Sequence, residues 1–191
     1  MRIGVDVSQL AYEGTGVANY LQNFVQNLID VDNKNEYSLF FSSLRKEFPI
    51  SKFQFLNNNP RVKIKTFRLP PTVLDLIWNK LHIFPIEKFI GEVDIFITSD
   101  WTEPPAIKAR KATILYDLIV YKYPKETHNK WSFNPFSLII SPNIVASQKR
   151  KLKWVKRESD KIFCISKSTV QDAAEILGIE RNRLEVIYPG L

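Results

Sequence analysis

The sequence predicts an α/β fold in which a Rossmann-like, doubly wound and mostly parallel sheet is flanked by helices. The chain opens with an alternating apolar run at residues 3–7, which predicts a buried strand in the middle of a sheet. The turn Gly14-Thr15-Gly16 follows, and apolar residues then recur every three or four positions as far as Leu28, as in an amphipathic helix. Strands and helices continue to alternate beyond this point, which is the pattern of a parallel sheet with crossover helices.

The next elements follow from the same two periodicities. Residues 37–41 form a predicted second strand, and residues 62–67 alternate apolar side chains with lysines, which indicates a half-buried strand near the sheet edge. Helices are predicted at residues 72–81 and 85–90, and a buried strand at residues 93–98.

The second half of the chain carries clearer helix boundaries. After a strand at residues 111–116, Ser141 and Pro142 are typical of a helix start, and the helix is expected to continue to residue 158. The last three elements are a strand at residues 161–165, a helix that begins at Ser166 or Ser168 and ends before Gly178, and a strand at residues 184–187.

Composition limits the classes of partner. A chain of 191 residues with 45% hydrophobic residues can fill one core, so residues 1–191 are expected to form a single domain. The net charge of +7 favours anionic partners, which include nucleic acid, anionic lipid and phosphorylated small molecules.

Cys164 is the sole cysteine, which excludes a disulfide framework, and the two histidines lack metal-ligand spacing, so no metal is expected. No apolar run approaches the ~18 residues of a membrane span, and a cytoplasmic location is expected.

The glycine turn can bind an anion. The N–H groups of Val17, Ala18 and Asn19 are expected to point out of the helix start, where a negative charge is favoured. A plain tight turn is the alternative. A dinucleotide-binding fingerprint fits poorly, because Asn19 replaces the third small residue and the second strand ends at Ser42 without an acid.

Polar and aromatic residues follow the strands at residues 93–98 and 111–116. Open α/β sheets bind ligands beyond the carboxyl ends of their strands, so these residues are candidates for a binding site. They are Asp100, Trp101 and Glu103 after the first strand, Tyr116 and Asp117 after the second, and Tyr121 and Lys122 a few positions later.

Four stretches carry a resemblance to a known family. They are residues 1–6 leading to 14–20, residues 93–96 with Pro104 and Pro105, residues 113–118 followed by Tyr123 and Pro124, and residues 159–168 with 178–179 and 185–190. Their order along the chain resembles the amino-terminal, acceptor-side half of a GT-B glycosyltransferase of family four, which includes mannosyl- and rhamnosyltransferases.

The resemblance implies a function. A retaining enzyme of this kind transfers a hexose from a nucleotide sugar to a glycan or lipid-linked acceptor in cell-surface polysaccharide synthesis, without a metal or other cofactor. It implies that a second domain, beginning after Leu191, binds most of the nucleotide sugar, so that this chain alone is expected to be inactive.

The resemblance also suggests roles for individual residues. Asp117 is expected to orient the acceptor hydroxyl, and capping of the following loop is its alternative role. Tyr116 stands where the family commonly has histidine and is the second candidate for a catalytic role. The donor diphosphate is expected at Gly14, Thr15, Gly16 and Val17, and the acceptor at Asp100, Trp101, Glu103, Tyr121 and Lys122. Ordinary packing at the rim of the site is an equal alternative role for Trp101.

The long helix carries a basic cluster. Its members Lys149, Arg150, Lys151, Lys153, Lys156 and Arg157 are expected to point largely outward. A solvated face is the simplest interpretation, and peripheral contact with an anionic membrane is the alternative. Nucleic acid is not expected as a partner. The competing hypotheses are a stand-alone basic α/β module for nucleic acid or another anionic partner, and a nucleotide-dependent oxidoreductase.

Overall fold

The structure is a computed structural model that describes residues 1–50, 53, 59–99, 101–123 and 144–189. Seven parallel strands form one sheet in the order β3-β2-β1-β4-β5-β6-β7. The strands are β1 Arg2–Asp6, β2 Glu36–Ser42, β3 Val62–Phe67, β4 Ile95–Thr98, β5 Arg110–Leu115, β6 Ser159–Cys164 and β7 Leu184–Val186. The predicted α/β, doubly wound sheet is confirmed.

Helices lie on both faces of the sheet. They are α1 Gly16–Val31, α2 Pro71–Leu74, which continues as a π-helix over Asp75–Lys80, α3 Glu87–Ile90, α4 Ile119–Lys122, α5 Ile144–Glu158 and α6 Lys167–Leu177. The predicted start of α5 at Ser141 and Pro142 lies outside the described residues.

Strand β1 lies inside the sheet, as its apolar run predicts. It pairs with β2 on one side and β4 on the other, whereas β3 is an edge strand. Gly4 of β1 has no room for a side chain, because a Cβ there would lie 2.7 Å from atoms of both Ile90 and Phe96. The central strand therefore packs closely against α3 at this point.

The core forms on both sides of the sheet. On one face, Leu21 and Val25 of α1 pack over β1 and β2. On the other face, Trp78 lies with α3 over Phe40 of β2, and α5 and α6 cover Cys164 of β6. The buried faces agree with the predicted periodicities, because the side chains of a strand alternate between these two layers.

Two helix caps have the expected geometry. Ser166 Oγ accepts a hydrogen bond from the N–H of Thr169 at the start of α6, and Gly178 ends this helix with a left-handed φ of 62°. Both caps follow from local chemistry, which is why the sequence predicts them. None of the helices in the described ranges has the length and apolar character needed to cross a membrane.

Candidate functional site

The carboxyl ends of the strands meet at one edge of the sheet. The chain places β2 and β3 on one side of β1, and then returns to place β4 on the other side. The strand order therefore reverses between β1 and β4, and this switch point opens a crevice at the carboxyl edge. Strands β1 and β5 flank β4, so their ends lie ~10 Å apart.

The glycine turn lies at this edge, between β1 and α1. Gly14 has a φ of 80°, which disfavours any residue with a side chain, whereas a Cβ on Gly16 would meet no atom within 4 Å. Thr15 caps α1: its Oγ1 accepts from the N–H of Ala18 at 3.2 Å, and its carbonyl accepts from the N–H of Asn19 at 3.0 Å. The turn is exposed to solvent.

This cap corrects the prediction for the free N–H groups. Those of Ala18 and Asn19 are occupied, because Thr15 supplies an acceptor for each. Within the described residues, no acceptor is found for the N–H groups of Gly16 and Val17. The turn can therefore offer two backbone donors to an anion, rather than the larger set that the sequence suggests.

Asp117 follows β5 and is exposed at the same edge. Its Oδ1 accepts a hydrogen bond of 2.9 Å from the N–H of Ile119, so the capping geometry that is its alternative role is present. One carboxylate oxygen stays available to solvent or to a ligand. Asp117 thus combines a local structural contact with the accessibility that an acceptor site requires.

Tyr116 is buried beneath the edge. Its ring meets Tyr20 edge-on at a centroid distance of 5.5 Å, and its hydroxyl oxygen lies 3.3 Å from Ser99 Oγ. The phenol is thus packed between α1 and the end of β4. Because Tyr20 is one helical turn after Gly16, this contact holds the glycine turn next to the end of β5.

Trp101 lies half-buried after β4. Its carbonyl accepts from Asn79 Nδ2 at 3.0 Å, and its buried indole N–H has no acceptor among the described residues. Asn79 Nδ2 also donates to Asp75 at 2.9 Å, and Asp75 in turn accepts from Arg150 at 2.7 Å. This buried network of hydrogen bonds fixes the backbone at Trp101. The neighbouring candidate Asp100 lies outside the described residues.

Glu103 requires a correction. It is 0% exposed, and its Oε1 lies 2.8 Å from Lys111 Nζ, while its Oε2 accepts from Thr98 at 2.6 Å. Lys111 is also 2.9 Å from Glu158. Burial disfavours the charged ammonium, but attraction to the two carboxylates outweighs it and raises the pKa of Lys111. The predicted contact between Glu103 and an acceptor is thus not available in this structure.

Tyr121 and Lys122 lie on α4. Lys122 Nζ is 3.0 Å from both carboxylate oxygens of Asp172, and this hydrogen bonding raises the pKa of Lys122. The Tyr121 ring lies 5.0 Å below Lys149 Nζ. Both candidates therefore hold α4 against α5 and α6, and Lys122 remains exposed.

The basic cluster on α5 is smaller at the surface than predicted. Lys151 is only 2% exposed and donates a hydrogen bond to the carbonyl of Ser99, and Arg150 is partly buried against Asp75. Lys151 turns inward because the carbonyl of Ser99 accepts its hydrogen bond and the carboxyl of Asp6 attracts its charge. The exposed members are Lys149, Lys153, Lys156 and Arg157.

Asp6 is a site residue that the sequence reasoning missed. It ends β1 at the switch point and is buried, and burial raises its pKa, although hydrogen bonds from Ser8 and the positive charge of Lys151 oppose this effect. A buried carboxyl with a perturbed pKa in a crevice is a candidate functional group. The signal in the sequence is an acid at the last position of a buried strand.

Together the fold and this edge define an α/β domain whose sheet has its switch-point crevice between β1 and β4. Comparison of the chain with models of protein families and with curated proteins finds no match. Within the described ranges, no group of three or more His, Cys, Asp or Glu is arranged to hold a metal ion.

Proposed function

We propose that this chain is the acceptor-side domain of a retaining glycosyltransferase with two doubly wound domains. The reaction is transfer of a hexose from a nucleotide sugar to a glycan or lipid-linked acceptor. One observation carries the proposal: the exposed carboxylate of Asp117 and the two open N–H groups of the glycine turn lie at the same carboxyl edge of the sheet.

The spacing suits the reaction. The carboxyl ends of β1 and β5 lie ~10 Å apart on either side of β4, and one sugar with its phosphate can span that distance. The departing diphosphate gains negative charge in the transition state, and the N–H groups of Gly16 and Val17 would stabilise it. Asp117 would accept a hydrogen bond from the attacking hydroxyl and orient it.

The charge distribution supports the same partners. A net charge of +7 attracts anionic donors and acceptors, and four cations on α5 remain exposed for contact with an anionic membrane surface. Burial of Lys151 and pairing of Arg150 reduce the basic surface that a nucleic-acid module would need. The proposal includes a location at the cytoplasmic face of a membrane, where lipid-linked acceptors are available.

The test uses the protein encoded by the complete reading frame that contains this chain. Release of nucleoside diphosphate is measured with a panel of nucleotide sugars and with membrane-extracted glycan acceptors. Asp117→Asn should lower turnover about a hundredfold or more, while the melting temperature stays close to that of the wild type, because asparagine can still accept from Ile119.

Asp160→Asn is the matched control, since Asp160 is an exposed carboxylate at the opposite, amino end of β6. It should leave turnover unchanged. The isolated 191-residue chain should fold cooperatively but release no nucleoside diphosphate. Turnover by the isolated chain, or wild-type turnover by Asp117→Asn, would contradict the proposal.

A further inference from the structure

A small pocket lies at the carboxyl ends of β1 and β2, next to the switch-point crevice. Its volume is ≈ 40 Å³, and about 10–15 Å³ of such space is enough to hold one water. It can therefore receive a small polar group such as a hydroxyl or a hydroxymethyl. The lining includes Asp6, Ser8, Gln9, Tyr12, Trp101 and Thr102.

Three polar groups around this pocket have no partner. Gln9 is 5% exposed and Thr102 is 3% exposed, and within the described part of the chain neither side chain makes a hydrogen bond. The buried indole N–H of Trp101 lacks an acceptor among the same residues. Folded proteins satisfy the large majority of buried polar atoms, so the unpartnered indole N–H of Trp101 indicates a ligand, and the polar atoms of Gln9 and Thr102, which reach solvent, are available to bind it.

The rest of the pocket is already held in place. Asp6 Oδ1 accepts from the N–H of Ser8 at 2.9 Å, and Ser8 Oγ accepts from the N–H of Ser42 at 3.0 Å. Asn79 fixes the backbone of Trp101 from the other side. The unpartnered groups thus stand on a rigid frame, which is what selective binding requires.

The chemistry of these groups indicates a neutral hydroxyl. An amide and a hydroxyl can each donate and accept, and the indole N–H can only donate, so together they match a group that does both. A phosphate or carboxylate is disfavoured, because Asp6 also lines the pocket. The half-buried ring of Trp101 can cover apolar C–H surface next to the hydroxyl.

We propose that this pocket is a specificity subsite, in which Gln9, Thr102 and Trp101 bind one hydroxyl or hydroxymethyl group of a sugar. The subsite extends the proposed function, since that sugar is then the acceptor. Discrimination would come from these polar groups, because a sugar that lacks the hydroxyl leaves the buried indole N–H of Trp101 unpaired and displaces water from Gln9 and Thr102 without replacing its hydrogen bonds.

The test measures binding of methyl glycosides to the 191-residue chain by NMR. Methyl glycosides of glucose, mannose and galactose are each compared with the analogue that lacks one hydroxyl. For one glycoside, removal of a single hydroxyl should weaken binding about tenfold. Gln9→Leu should weaken binding of the parent glycoside by a similar factor, and this variant should bind the parent glycoside and the deoxy analogue equally.

Thr102→Val is the second variant, since valine keeps the shape of threonine and removes only its hydroxyl. It should also reduce the discrimination. Gln171→Leu, a change on the exposed surface of α6, is the control and should keep it. Thermal melting of each variant identifies any loss that comes from unfolding.

The outcomes separate this proposal from the proposed function. If both Gln9→Leu and Thr102→Val keep the wild-type discrimination, or if no glycoside shifts the resonances of the pocket residues, the subsite is refuted. If glycosides bind with the expected discrimination but the complete protein turns over no nucleotide sugar, the subsite stands and the transferase proposal fails.

Discussion

Replacement of Lys111 by methionine should strongly destabilise the domain. Methionine fills a similar volume but removes the positive charge 2.8 Å from the Glu103 carboxylate. The Lys111 side chain is 4% exposed and that of Glu103 is 0% exposed, so water cannot replace the lost partner. Removal of one partner of a buried ion pair costs about 3–5 kcal/mol. A loss of this size is a large part of the stability of a typical domain.

The free energy of unfolding is measured by urea titration, with tryptophan fluorescence as the signal. Arg110→Met is the matched control: Arg110 precedes Lys111 on β5 and pairs with Asp160, but its side chain is 75% exposed. That change should cost less than about 1 kcal/mol. The double variant Lys111→Met/Glu103→Gln should recover more than ~1 kcal/mol of the loss, because the buried charge is then removed as well.

Two results would refute this reasoning. If Lys111→Met costs no more than Arg110→Met, the carboxylate of Glu103 is not confined to the core. Alternatively, the double variant could be less stable than Lys111→Met alone, which would show that Glu103 is not an unpaired charge in the single variant. After either result, Glu103 would again be a candidate for contact with the acceptor.

Three further predictions concern the edge, the surface and the core. Gly16→Val should leave the melting temperature of the complete protein nearly unchanged, since a Cβ there meets no atom within 4 Å. The same change should lower turnover about a hundredfold. Turnover that follows the folded fraction would contradict an anion site at the glycine turn. Asp32 accepts from the Tyr37 hydroxyl, which holds the pKa of Asp32 well below its unfolded value. Its contribution to stability is therefore complete above about pH 4 and is lost as the pH falls further. In urea titrations, the free energy of unfolding of Asp32→Ala should be lower than that of the wild type at neutral pH, and the two values should converge in acid. Burial raises the pKa of Cys164 to about 12, so the thiol should react with a disulfide reagent at pH 8 only after denaturant is added; rapid labelling of the native protein would contradict its place in the core.

The sequence alone determined most of the fold. Strand and helix periodicity, the serine cap of α6 and the left-handed Gly178 depend on neighbours within a few residues, so they can be predicted from local patterns. The position of β1 inside the sheet and of β3 at its edge follows from how apolar each strand is on its two faces. The link to glycosyltransferases remains a prediction from residue patterns.

Only the tertiary structure decided which polar residues are available at the site. Trp101 and Glu103 are two positions apart, yet one lies at a pocket and the other is enclosed with Lys111. Lys151 looks like any other cation on α5, but it is turned inward to Ser99. The free energy of a buried charge depends on partners far away in the chain, so local sequence cannot reveal whether a charge faces water or the core.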